Sequence, residues 1–142
     1  MDNRYLFRGK CVNSRKWFFG SLIMRDDGKH FIAEKCMRSL KKPHGHFLTG
    51  YDAVDPATVG QCTGLKDKNG TLIFEGDIVT ISNDDVLDDF TAQIYWDNGW
   101  CVDYEDIEVP LYISKIAEGA AIEIIGHVHD HPELIREDLV FT

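Results

Sequence analysis

Val54-Asp55-Pro56-Ala57-Thr58-Val59-Gly60-Gln61-Cys62-Thr63-Gly64-Leu65-Lys66-Asp67-Lys68-Asn69-Gly70-Thr71-Leu72-Ile73-Phe74-Glu75-Gly76-Asp77-Ile78-Val79 is the stretch that decides the fold. It carries four glycines, an Asp-Pro helix start and an Asn-Gly turn before it enters the apolar Ile78-Val79. Asp55 can cap the first free amides of a short helical turn. Pro56 fits the first helical position, and Gly60 permits a left-handed exit. Gln61 to Phe74 reads as a turn-rich connector built around Asn69-Gly70. These residues instruct the backbone and offer few chemical groups.

Upstream, Tyr5-Leu6-Phe7-Arg8 and Trp17-Phe18-Phe19 are aromatic-rich runs separated by Asn13-Ser14-Arg15-Lys16. That is the pattern of a hairpin. The second strand continues through Ser21-Leu22-Ile23-Met24, and Asp26-Asp27-Gly28 turns the chain into His30-Phe31-Ile32-Ala33. Residues 35–53 lack periodicity and read as irregular. Downstream, Ile78-Val79-Thr80-Ile81 is a strand, and Ser82 to Asp89 is an acidic loop.

Ala92 to Trp96 and Trp100 to Tyr104 form the clearest hairpin. A loop of Asn98-Gly99 alone would split the apolar side chains between two faces. A loop of Asp97-Asn98-Gly99 sets Trp96 opposite Trp100, Ile94 opposite Val102 and Ala92 opposite Tyr104, all on one face. A one-residue slip inverts a strand, so the buried face selects the second register, with Gly99 at positive φ.

Ile107 to Glu118 is ambiguous, with a short helix possible over Ser114 to Glu118. Ile122 to His129 is a further strand. Ile122, Ile124 and Val128 fall on one face, and Glu123, Ile125, His127 and His129 on the other. His131 to Ile135 reads as a helical turn with Pro132 at its first position.

Composition bounds the function. The chain has 142 residues, 44% hydrophobic and 27% charged, which suits one soluble domain that needs no metal or disulfide staple. Its 24 acidic and 15 basic residues give a formal charge of −9. Such a chain is repelled by nucleic acid and anionic membrane unless its bases cluster. The one modest cluster is Lys35, Arg38, Lys41 and Lys42, and it reads as solvated surface. The apolar runs are too short for a membrane span, and no cleavable signal follows Met1-Asp2-Asn3-Arg4. The expected location is the cytoplasm. Cys11, Cys36, Cys62 and Cys101 form no Cys-x-x-Cys pair and are expected to be reduced thiols.

Thr58-Val59-Gly60-Gln61, then Thr63 to Gly70, then Phe74-Glu75-Gly76-Asp77-Ile78-Val79 resemble the signature of the YopX family. Phe7-Arg8 and Gly20-Ser21-Leu22 fit that family's opening. Ile122-Glu123-Ile124-Ile125-Gly126 with Pro132-Glu133-Leu134 fit its ending. The resemblance implies a mostly β protein of phage or prophage origin in the host cytoplasm. It supplies no catalytic residue, because the family has no established activity. Cys62 departs from the family pattern, which more usually has an aromatic there. His127, His129 and His131 depart as well, so metal binding by them would be peculiar to this chain.

The candidate sites are weighed against plainer roles. His127 and His129 share one strand face, and His131 follows. Alternate imidazoles can share zinc or copper, with Asp130 and Glu133 as oxygen ligands. His44 and His46 are a second alternate pair. Without a diagnostic thiolate or acid, all read as exposed polar positions. Asp84-Asp85-Val86-Leu87-Asp88-Asp89 lacks the spacing of a calcium loop. Asp67 and Asp77 are the carboxylates to suspect for acid–base work, yet turn capping explains both. Cys62 sits in a glycine-flanked loop but has no placeable histidine partner. Trp96, Trp100 and Tyr104 read as core before they read as a stacking platform.

The expected architecture is mostly β, as one domain over residues 1–142. An N-terminal hairpin region (1–53) and a connector (54–75) precede a small SH3-like, partly open barrel (76–142), with short helical turns. The expected function is non-enzymatic: binding a protein partner or self-associating as a homo-oligomer, with no cofactor. The alternatives are a nucleic-acid-associated phage protein of replication or regulation, a small metal-dependent hydrolase using the histidines, and an acidic mimic of DNA.

Overall fold

The computed structural model describes residues 5–34, 51–82, 89–104 and 109–135. The chain divides into two compact units, Met1–Cys62 and Thr63–Thr142. The secondary structure is mostly antiparallel β, as the sequence pattern predicts.

In the first unit, β1 (Phe7–Lys10), β2 (Trp17–Met24), β3 (His30–Glu34) and β4 (Tyr51–Val54) follow one another as antiparallel neighbours. The predicted first hairpin forms, with Phe7 opposite Gly20 and Lys10 opposite Trp17. Gly28, at φ 87°, turns β2 into β3. Strand β4 corrects the irregular reading of residues 51–53. Four residues are too few to show a period, and the ladder with β3, from His30–Val54 to Ala33–Tyr51, holds them extended. The end of β1 and the residues after it also meet β4 and the residue that follows it. Cys11 bridges Val54, Val12 N–H donates to Ala53 O at 3.0 Å, and Asp55 N–H donates to Lys10 O at 2.8 Å.

Beyond β4, Asp55 Oδ1 accepts the Ala57 N–H at 3.0 Å and caps a single 3-10 turn, Pro56–Thr58. Cap and proline lie where the sequence puts them. The exit does not: Val59 leaves extended at φ −67°, and Gly60 opens strand β5 (Gly60–Lys66). The start of β5 pairs with β1, setting Phe7 opposite Gln61 and Arg8 opposite Gly60.

In the second unit, the turn Asp67–Thr71 joins the end of β5 to β6 (Leu72–Phe74), with Gly70 at φ 84°. The presumed connector therefore contains two strands. Their glycines hide the strand pattern, and neighbouring strands supply the pairing that propensity does not. Strand β7 (Asp77–Ser82) is central in a sheet with β8 (Phe90–Gln93) and β12 (Ala121–His127). A second small sheet holds β9 (Tyr95–Trp96), β10 (Trp100–Val102) and β11 (Leu111–Tyr112), followed by the short helix α1 (Ile113–Ile116). Among the described residues these sheets form no closed barrel.

The core of this unit is Ile73, Val79, Ile81, Ala92, Ile94, Val102, Ile113 and Ile122. A large aliphatic side chain buried this way contributes about 1.5–3 kcal/mol. Ile94 sits where the strand changes sheets. Its N–H donates to Asp77 O at 2.9 Å and its O accepts the Gly76 N–H at 2.9 Å. The next residues then pair with β10.

The selected register is present: Trp96 faces Trp100 and Tyr95 faces Cys101. The hairpin is shorter than expected, because Ala92 pairs with Val79 instead of Tyr104. Ala92, Ile94 and Val102 are buried, but Trp96 is 59% exposed. Placing all six side chains in one core is therefore corrected; the turn at Ile94 carries β9 outward.

Gly99 has the expected positive φ, but at 158° it is nearly extended, and Asn98 takes the left-handed conformation at φ 56°. The constraint on Gly99 is contact. A Cβ there would lie 2.8 Å from Cδ1 and Cε1 of Tyr112. Gly99→Val is expected to cost about 1–2 kcal/mol by displacing that ring. Thermal melting checks this, and an unchanged midpoint would contradict it.

Candidate functional site

The histidine run lies where β12 ends. The ladder with β7 shifts register between Ile124 and Gly126, so that Gly126 faces Ile78 and His127 faces Asp77. This bulge leaves Ile125 40% exposed and turns His127 inward to 5% exposure. His127 is therefore not an exposed position, as simple alternation implies; an extra residue inverts the phase of everything after it. His129 and His131 are exposed.

Their ring nitrogens meet backbone amides. His127 Nδ1 accepts the His129 N–H at 3.0 Å, and His131 Nδ1 accepts the His127 N–H at 3.3 Å. The rings of His127 and His129 lie 5.2 Å apart. Among the described residues no three histidine, cysteine or acidic side chains come together as a metal site. His44 and His46 lie outside the described residues.

The two suspected carboxylates are both buried, Asp67 to 8% and Asp77 to 2% exposure. Asp67 Oδ1 accepts from Asn69 N–H at 2.9 Å and Thr71 N–H at 3.0 Å, and Oδ2 accepts from Ile124 N–H at 3.1 Å. It closes its own turn and ties that turn to β12. Burial pushes its pKa up, but the donors from Ile124, Thr71 and Asn69, aided by the Lys68 ammonium, outweigh burial and hold it below 3.8. A general acid working near neutrality needs the opposite shift. Asp77 Oδ2 accepts the Phe74 N–H at 2.7 Å across the Glu75-Gly76 turn. Both carboxylates thus cap turns, and Asp67 also reaches β12.

Cys11, Cys62 and Cys101 are buried. Cys62 lies within β5 and not in a loop, because Cys62 N–H donates to Leu6 O at 2.8 Å and extends the pairing with β1. Burial pushes the Cys101 thiol up. Hydrogen bonding to Ser14 pulls the Cys11 thiol down. Of the acidic run, residues 84–88 lie outside the described residues, as does the basic cluster of Lys35, Arg38, Lys41 and Lys42.

The aromatics give the most distinct surface. Trp96 and Trp100 pack edge to face at 4.9 Å between ring centroids. On the other face of the same small sheet, Tyr95 Oη donates to Asp103 Oδ1, which raises the Tyr95 pKa above its ordinary range. Tyr112, 41% exposed, lies over Gly99. In the first unit, the guanidinium of buried Arg8 lies 4.9 Å from the Trp17 ring centroid and the Lys10 ammonium 5.7 Å. Sequence reasoning passed over Arg8, Trp17 and Tyr112. Alternating cation and aromatic positions across the β1–β2 hairpin were the available signal for the first two.

A family model described as YopX protein matches residues 6–136. This chain belongs to the YopX family. The match spans the residues of every strand from β1 to β12. No curated protein matches the chain.

In this YopX-family chain several polar side chains hydrogen-bond the backbone. Asp55, Asp67, Asp77, His127 and His131 each accept a main-chain N–H. Among the described residues no helix is long and apolar enough to cross a membrane.

Proposed function

We propose that this YopX-family protein is a non-enzymatic binding module that engages a protein partner, or a second copy of itself, in the cytoplasm of a phage or prophage host. The observation that carries the reading is Trp96, 59% exposed on a two-residue edge strand. Tyr112, on the far edge of the same sheet, is 41% exposed. Exposed aromatic side chains on a rigid sheet make effective anchors in protein interfaces. Residues 76–142 are read as a small, partly open SH3-like barrel, supported by short antiparallel strands and the change of sheet at Ile94. A fold alone assigns no partner.

Capture from host extract should depend on Trp96. The expected result is that Trp96→Ala and Tyr112→Ala each reduce capture, or self-association by light scattering, at least about fivefold at unchanged melting temperature. Undiminished binding by the double variant would contradict the reading.

A second reading, nucleic-acid association, is favoured by one observation: Arg8 and Lys10 beside Trp17 on one hairpin. The formal charge of −9 opposes it. A mobility shift at low salt that weakens as salt rises would support it.

A further inference from the structure

The turn at the end of β12 is built from histidines that donate nothing to it through Nδ1. His127 O accepts the His131 N–H at 2.7 Å, and His131 Nδ1 accepts the His127 N–H at 3.3 Å. His127 Nδ1 accepts the His129 N–H at 3.0 Å. Two imidazoles thus satisfy two main-chain donors within five residues. Each contact needs a lone pair on Nδ1, so each ring must be neutral with its proton on Nε2. An imidazolium carries hydrogen on both nitrogens and has no acceptor to offer.

The histidine turn also holds the residues next along the chain. A Cβ on Gly126 would lie 2.8 Å from His131 Nδ1 and 2.9 Å from Leu134 Cδ1. His131 and Leu134 therefore sit directly against the main chain of β12, and Gly126 is the residue that lets them. The N–H groups of Leu134 and Ile135 bond back to His131 O and Pro132 O at 3.1 Å each, so this segment is anchored through the histidine turn.

We infer that residues 127–135 form a proton-sensitive clasp, closed when His127 and His131 are neutral and opened when either gains a second ring proton. A histidine in water takes that proton near pH 6.5, within the range a cell visits. The groups around the clasp set its balance. Asp77 faces His127 across the ladder, buried to 2% exposure, and its charge favours a ring proton. Glu75 adjoins Asp77 on the preceding turn, His129 stacks on His127, and Asp130 and Glu133 belong to the clasp itself. None of these replaces the lost Nδ1 acceptors, so a proton drawn in by Asp77 is gained at the expense of the turn. The clasp is therefore intact while both rings are neutral and loosens when either is protonated. Opening frees Leu134 from β12.

Two NMR measurements on the full chain test this. At pH 8, ring 15N shifts should show Nδ1 unprotonated in both His127 and His131. A proton on either Nδ1 overturns the inference without recourse to any variant. Between pH 7.5 and pH 5.5, the exchange protection factors of the His127 and His129 amides should fall about tenfold, the equivalent of losing one hydrogen bond. In the double variant His127→Asn and His131→Asn, an amide oxygen takes the place of Nδ1 and does not titrate. Protection there should hold within about twofold over the same range. Constant protection in the wild type, or an equal fall in the variant, overturns the clasp.

Discussion

Asp67→Ala will unfold well below the wild type, with an expected loss of about 2–4 kcal/mol at pH 7. One carboxylate accepts three main-chain N–H groups, from Asn69, Thr71 and Ile124. Water can reach the exposed Asn69 and Thr71. It reaches the half-buried Ile124 amide poorly, so that donor bears most of the cost. The contact to Ile124 also spans 57 positions of sequence, so its loss removes one of the ties between the β5–β6 turn and β12 and leaves the Lys68 N–H bond to Ile122 O at 2.8 Å. Because the folded pKa is held below 3.8, the stabilisation is fully present above that unfolded value and is lost as pH falls through the folded one. The gap between wild type and variant should be widest at neutral pH and narrow as pH falls through the lowered folded pKa. Denaturant melts at pH 7 and pH 3 check both statements; a gap unchanged at pH 3 would contradict the second. Asp67→Asn should fall between, because it retains Oδ1 but turns an amide NH2, a donor, toward the Ile124 N–H.

Gly9→Ala is expected to cost about 2–3 kcal/mol, although it adds one carbon. That carbon would lie 2.9 Å from Cβ and Cγ2 of Val54 and 3.2 Å from Cγ1. Val54 is 2% exposed and its Cβ is fixed to the β4 backbone, so it cannot swing aside. The strain falls beside the isolated Cys11–Val54 bridge. A glycine inside a strand commonly marks such a close approach. A melting midpoint within about 1 °C of the wild type would contradict this account.

Local turn chemistry made much of the fold legible. Asp27-Gly28, Asn69-Gly70 and Asp97-Asn98-Gly99 lie where three antiparallel connections occur, and pairing Trp96 with Trp100 comes from burying one face. The hidden features depend on partners distant in sequence. β4 is short and β5 is glycine-rich, and they become strands because β3 and β1 offer them ladders. The bulge at Ile125 has no residue signature, yet it decides that His127 is buried. Gly9 looks ordinary until Val54 lies against it.

The candidate residues obey the same logic. Turn capping by Asp55, Asp67 and Asp77 was readable because Asx chemistry acts over two or three residues. The third bond of Asp67, to Ile124, was not readable, since nothing near Asp67 announces a strand half the chain away. The exposure of Trp96 was hidden too, because the strand leaves its sheet at Ile94 for reasons that lie in β7 and β10.

On the proposed non-enzymatic reading, the buried carboxylates Asp67 and Asp77, which accept main-chain N–H groups, are braces for the backbone. Titration of the Asp67 carboxyl carbon by 13C NMR tests that most directly. A midpoint below 3.8 is the predicted result. A midpoint raised toward neutrality would contradict it and would mark Asp67 as a working acid or base.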